Sequence, residues 1–302
     1  MIRVHAALFS VSFLYAVLFS WAGQIMPNFL SPEAFVMLRL LTATALFYLV
    51  SFGFPRERID WKSHGLEFAI CGFFGTSANM YLFFYGLSLT HPINGAILML
   101  VTPLCVCIFD HIRLKEQAKP LFILATISGT ICSAFLLIGK GANFTSETLV
   151  GDLLVGINAL FYAIYLVRVK KLAHIYTPIT INKIGFSFGT IYLLPIGAMA
   201  LIHTDFSAFT TNITAKVAYI LFFTSFLVYL LNSYALQKSG PSLSGLYIYL
   251  QPVLASIIAL ILGTDSLSSH KIILMILIIL SVFVATKYSP KEKEIAKTAI
   301  HL

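Results

Sequence analysis

Tyr81–Glu116, YLFFYGLSLTHPINGAILMLVTPLCVCIFDHIRLKE, decides the fold because it occurs twice. Moving 149 residues along the chain carries Tyr85, Leu87, Pro92, Pro103 and Ile108 onto Tyr234, Leu236, Pro241, Pro252 and Ile257 without a gap, and Glu116 onto Asp265. Each copy reads as the end of one apolar helix, a short loop with a proline, a second apolar helix broken by proline, and an acidic residue just past it. In a chain of 302 residues that offset means two similar halves.

Composition places both halves in a membrane. The chain is 59% hydrophobic and 11% charged, with a mean hydropathy of +0.90, whereas a soluble domain carries about 25% charged residues. The net charge of +8 would suggest nucleic acid in a soluble protein, but Lys and Arg gather in the cytoplasmic loops of membrane proteins. Cys71, Cys105, Cys107 and Cys132 all sit in apolar runs. Cys105 and Cys107 are two apart on a helix and point to different faces, so the four read as small core residues and not as metal ligands.

A membrane helix needs roughly 20 mainly apolar residues. Ten stretches qualify: about 6–23, 33–54, 66–87, 93–109, 120–138, 150–168, 178–202, 216–236, 242–262 and 270–286. Pro32, Pro92, Pro120, Pro178 and Pro241 stand at first turns, where a missing N–H does no harm. The first stretch has the outline of a signal peptide, but without it nine helices would remain and the two-half symmetry would fail, so it is read as a helix. Fifteen of the twenty Lys and Arg fall in one alternate set of loops and only Lys140, Lys216 and Lys271 in the other, with Arg39 and Lys183 inside helices. That bias puts both termini in the cytoplasm and removes the nucleic-acid reading. Five helices per half is an odd number, so the halves enter the membrane from opposite sides. The expected fold is an all-α membrane protein with ten transmembrane helices in two inverted five-helix repeats, residues 1–143 and 144–287, followed by a basic tail, 288–302. The opening helices echo each other too: Ser31-Pro32 recurs as Thr177-Pro178, and Tyr15-Ala16 as Tyr162-Ala163.

These residues, together with Arg39 in helix 2, Tyr85-Gly86-Leu87 leading to Pro103, Leu114-Lys115-Glu116, Gly151-Asp152-Leu153-Leu154, and Tyr234-Ala235-Leu236 leading to Gln251-Pro252, resemble the EamA-type permeases of the drug/metabolite transporter superfamily over nearly the whole chain up to about Tyr288. Asp265 stands where that family often has Glu, and Ile278 in helix 10 where helix 5 has Gly129. The resemblance implies a small-solute permease, many members of the family exporting amino acids or related metabolites, with a central cavity lined by helices 1, 3, 4, 6, 8 and 9.

Uncharged polar residues near helix centres are the candidates for a substrate path, because a polar group in hydrocarbon is costly unless it is bonded or wetted. On the implied cavity helices they are Ser12 and Tyr15; Asn79, Tyr81 and Tyr85; Asn94 and Thr102; Asn158, Tyr162 and Tyr165; Asn232 and Tyr234; and Tyr247, Tyr249 and Gln251. Tyr81 with Tyr85, Asn158 with Tyr162, and Tyr247 with Gln251 stand four apart and share a helix face. Interhelical bonding is the alternative use of each. Pro103 and Pro252 are candidate hinges, freeing a carbonyl one turn earlier. Arg39 and Lys183 are expected to snorkel to headgroups, with a counter-charge for an anionic substrate as the alternative. All eight histidines fall in loops or at helix ends, and H-E-x-x-H is absent, so no catalytic or metal residue is assigned and an enzyme is not expected. The expectation is a permease that needs no cofactor and binds no nucleic acid, whose partners are the lipid bilayer and a small-molecule substrate; its compact loops suit a bacterial inner membrane. Amino acids or related polar or aromatic metabolites lead as cargo, and a larger anionic metabolite such as a nucleotide derivative or sugar phosphate is the alternative.

Overall fold

The computed structural model describes residues 2–114, 119–139, 141–261, 263, 266 and 268–289. Glu116, Asp265 and the tail beyond residue 289 lie outside the described residues. Among those described there are ten helices long and apolar enough to span a membrane, and no strand. They are α1 (Ile2–Ile25), α2 (Pro32–Ser51), α3 (Trp61–Ser88), α4 (Pro92–Asp110), α5 (Pro120–Ile138), α6 (Leu149–Ala173), α7 (Pro178–Ile202), α8 (Thr211–Ser239), α9 (Pro241–Ile261) and α10 (Ser269–Tyr288).

Local chemistry sets the helix starts. Ser31 and Thr177 accept from the backbone of Ala34 and Thr180 and cap α2 and α7, each followed by proline at the first turn. Asp60 and Thr210 cap α3 and α8, which therefore begin about five residues earlier than hydropathy suggests. An apolar stretch marks the hydrocarbon, whereas a cap marks the end of the backbone ladder.

Four helices are irregular, two in each half. In α4 the chain turns at Leu100, between Pro92–Met99 and Val101–Leu114; in α9 it tightens to a 3₁₀ turn over Tyr247–Tyr249. Pro103 and Pro252 cannot donate to the carbonyls of Met99 and Ile248, so each break falls in the turn before its proline. Wide π-type turns interrupt α3 at Phe73–Ser77 and α8 at Ile220–Leu227. Adding 149 to the first places it at residues 222–226, inside the second. The repeat extends to its irregularities.

Packing crosses the halves. The extensive pairings are α2 with α7, α5 with α10, α3 with α6 and α1 with α8, each joining one helix from each repeat. Ile278 of α10 is fully buried, and Gly129 of α5 makes room for the Tyr249 ring. At the crossing of α3 and α6, a Cβ on Gly151 would stand 2.7 Å from the Gly86 carbonyl oxygen and 2.7 Å from the Leu89 carbonyl carbon. Backbone cannot yield there as a side chain can. Large apolar groups such as Leu124, Ile191 and Phe283 face outward, as lipid requires. Replacing Gly151 with Ala is therefore expected to lower folded yield and melting temperature in detergent, while Gly156→Ala on the same helix, where a Cβ meets nothing within 4 Å, leaves both unchanged.

Candidate functional site

At mid-depth the irregular helices leave a cavity of about 690 Å³ of empty space including its mouth. Ser12 and Tyr15 come to its wall from α1, Asn79 from α3, Asn158 and Tyr162 from α6, Asn232 from α8, and Tyr247 and Gln251 from α9. An adjoining apolar cleft shares Phe19, Met99, Ile248 and Gln251 with it and runs between Pro92 of α4 and Ala259 of α9. These belong to the helix ends opposite the chain termini, so the cleft leads from the cavity toward that face.

Hydrogen bonds across the wall fix its polar groups. The Asn79 amide donates to the Asn158 carbonyl at 3.4 Å, and the Asn158 amide to the Asn79 carbonyl at 2.6 Å, a reciprocal clasp of α3 and α6. Asn232 donates to the Tyr162 hydroxyl at 2.8 Å. Ser12 donates to the Tyr247 carbonyl at 2.7 Å, and the Tyr247 hydroxyl lies 2.7 Å from His5 Nδ1. The tightened turn of α9 is thus held by α1 at two points, Ser12 at the Tyr247 backbone and His5, on the first turn, at its hydroxyl.

Arg39 corrects the snorkelling expectation. Its side chain is 2% exposed and lines the cavity. Nε donates to Ser225 Oγ at 2.8 Å, and Nη2 donates to the carbonyl and hydroxyl oxygens of Thr224 at 3.3 and 3.4 Å. The guanidinium carbon sits 4.7 Å from the centre of the Phe84 ring. The sequence offers no reason for these partners until the α8 π turn is known, because that turn brings two hydroxyl groups of one half to a cation of the other. Lys183 behaves differently: its Nζ lies 5.5 Å from the Tyr48 ring, and it is absent from the cavity wall.

Other candidates serve the packing. Asn94 is fully buried and donates to Asp152 Oδ1 at 3.3 Å and to the Asn143 carbonyl at 2.8 Å, while its own oxygen accepts from Asn143 N at 3.0 Å. Thr90 and Thr148 complete that carboxylate's bonds, tying α4 to the start of α6. Thr102 reaches the Ala159 carbonyl at 3.5 Å. Tyr165 stacks on Tyr162 at 5.9 Å and fills the space beside Gly75. Tyr81 and Tyr85 stack on one another at 5.4 Å, away from the wall; the cavity face of α3 carries Asn79, Met80, Phe83 and Phe84, and one residue further is about 100° around a helix. Tyr234 packs against the core shared by α5, α9 and α10. Tyr229 is the residue sequence reading missed: it lines the cavity and donates to the Gly75 carbonyl in the α3 π turn at 3.1 Å. Its place three residues before Asn232, on the same helix face, was the available signal.

The chain matches the model of the EamA-like transporter family over residues 3–139 and again over 149–287. Among similar proteins is the Bacillus subtilis (strain 168) "Uncharacterized transporter YyaM", 26% identical over 302 residues, covering 97% of this chain and 98% of that protein. An "Uncharacterized transporter" of Clostridium kluyveri is 24% identical over 240 residues, 76% of this chain and 75% of its own. A solved crystal structure, 17% identical, superimposes with a TM-score of 0.73 over 92% of this chain and 98% of its own, a likeness of fold.

Because Asn94 both donates and accepts within the α4–α6 network, Asn94→Leu removes one of the three donors to Asp152 and strands the N–H and carbonyl of Asn143. The expected loss is about 2 kcal/mol, read as a drop of several degrees in melting temperature; Gln251→Ala, at the cavity wall, changes it far less.

Proposed function

This chain belongs to the EamA-like transporter family, and from that premise we propose that it carries small polar or aromatic metabolites, amino acids or related compounds foremost, by alternating access through the central cavity. The observation that carries the reading is the wall itself: aromatic and aliphatic groups, the amides of Asn79, Asn158, Asn232 and Gln251, and one cation, Arg39, as the only charged lining residue among those described. Such a wall suits a solute with an apolar body and a few hydrogen-bonding groups. Phosphorylated metabolites suit it less, because a multiply charged group calls for several cations, and Lys183 does not supply a second one. Bending at Pro103 and Pro252 would switch the cavity helices between the two near-equivalent packings that the inverted repeats, 1–143 and 144–287, make available. The positive-inside bias supports cytoplasmic termini, and bacterial relatives support an inner membrane.

Solutes that bind the folded state raise its melting temperature by mass action. Neutral and aromatic amino acids are expected to do so with the purified protein, the shift being lost in Tyr247→Ala and kept in Tyr85→Ala, which lies off the wall. A shift with sugar phosphates or nucleotides alone would favour the anionic reading. In counterflow with reconstituted vesicles, Pro103→Ala or Pro252→Ala should slow exchange more than it lowers folded yield; equal losses would remove the hinge role.

A further inference from the structure

The fold contains its own control for Arg39. Ser31-Pro32 and Thr177-Pro178 open α2 and α7 at an offset of 146, which carries Arg39 onto Gly185. On the partner helices the offset of 149 carries Thr76 onto Ser225. Arg39 Nε donates to Ser225 Oγ, and in the mirror crossing Thr76 Oγ1 donates to the Gly185 carbonyl at 3.3 Å. The same contact between a first-half and a second-half helix is thus made twice, once with a guanidinium and once with backbone alone. A cation is not needed to build it.

Burying a guanidinium there is costly, and among the described residues no carboxylate pairs with it. Its hydrogen bonds go to neutral oxygens from Nε and Nη2; Nη1 has no such partner among the described residues. A second unmet group lies in the same wall. Asn158 is 1% exposed, and its Oδ1 has no hydrogen-bond partner, while its Nδ2 is committed to the Asn79 carbonyl. That bond fixes which end of the amide is the free acceptor. The cavity wall therefore holds a cation lacking an anion and, buried within it, an acceptor lacking a donor, beside Phe83, Phe84, Tyr15 and Met80.

Resting on the reading of the cavity as the substrate site, we propose that Arg39 receives a single carboxylate of the cargo and Asn158 Oδ1 a donor group such as its ammonium, making the cargo class a zwitterionic amino acid with an uncharged, apolar or aromatic side chain. Occupancy is also felt at the α8 π turn, because the guanidinium that meets the carboxylate is the one bonded to Thr224 and Ser225.

Binding of four probes to the purified full chain, by calorimetry and thermal shift, tests this: L-phenylalanine, 3-phenylpropionate, 2-phenylethylamine and phenyl phosphate. L-Phenylalanine should bind best, 3-phenylpropionate about tenfold more weakly, and 2-phenylethylamine, which lacks the carboxylate, about a hundredfold more weakly, the worth of hydrogen bonds to charged groups. Arg39→Gln should reduce L-phenylalanine to the level of the amine, and Arg39→Lys should restore part of the loss through its charge. If Arg39→Gln does not fold, the wild-type probe series decides alone. Equal binding of the amine and the amino acid, preference for phenyl phosphate, or no binding of any probe overturns the proposal. L-Phenylalanine binding that survives Arg39→Gln but is lost in Tyr247→Ala overturns it while leaving the cavity reading standing. Binding unaffected by either change overturns both.

Discussion

Hydrocarbon offers no partner to a backbone N–H or carbonyl, so every departure from helix must be covered by protein or open onto a polar space. The rest of the structure follows from where those departures are allowed. Regular helices such as α5 and α10 take the flank, presenting Leu124 and Phe283 outward. The interrupted ones, α3, α4, α8 and α9, come together around the cavity, where Tyr229, Ser12 and Arg39 meet the groups that the interruptions loosen. The chamber and the broken helices are one feature seen from two sides.

Duplication makes this arrangement economical in information. One five-helix pattern supplies both sets of interruptions, and inversion sets them opposite each other across the cavity. What differs between the copies then stands out against what is shared. The α2–α8 crossing has a cation where the α7–α3 crossing has a glycine carbonyl, so the two crossings are alike in position and unlike in charge.

The fold was legible because its signals are periodic and redundant: apolar length, prolines at helix starts, and a gapless echo from Tyr85 to Ile257. The site was legible in part. Asn158 with Tyr162 and Tyr247 with Gln251 were found by four-residue spacing, but the same rule put Tyr81 and Tyr85 on a face that does not meet the cavity. Spacing says which residues share a face and nothing of which way the face turns, and a π turn upstream changes that direction without a mark in composition. Arg39 was misjudged for a related reason. Depth along a helix is readable, whereas a partner nearly two hundred residues away is not.

All three apolar cores draw on both repeats: Phe84 with Phe186 and Tyr229, Leu100 with Ile278, Phe68 with Leu172 and Leu236. No core closes with only five helices present. At a synthesis rate of about 5–20 residues per second, the first repeat waits on the order of ten seconds in the bilayer before α7 and α10 exist. During that interval Arg39 has neither Ser225 nor Thr224 to receive its protons. Until the second half arrives the Arg39 side chain has only the headgroups to reach for, and α8 completes its buried place.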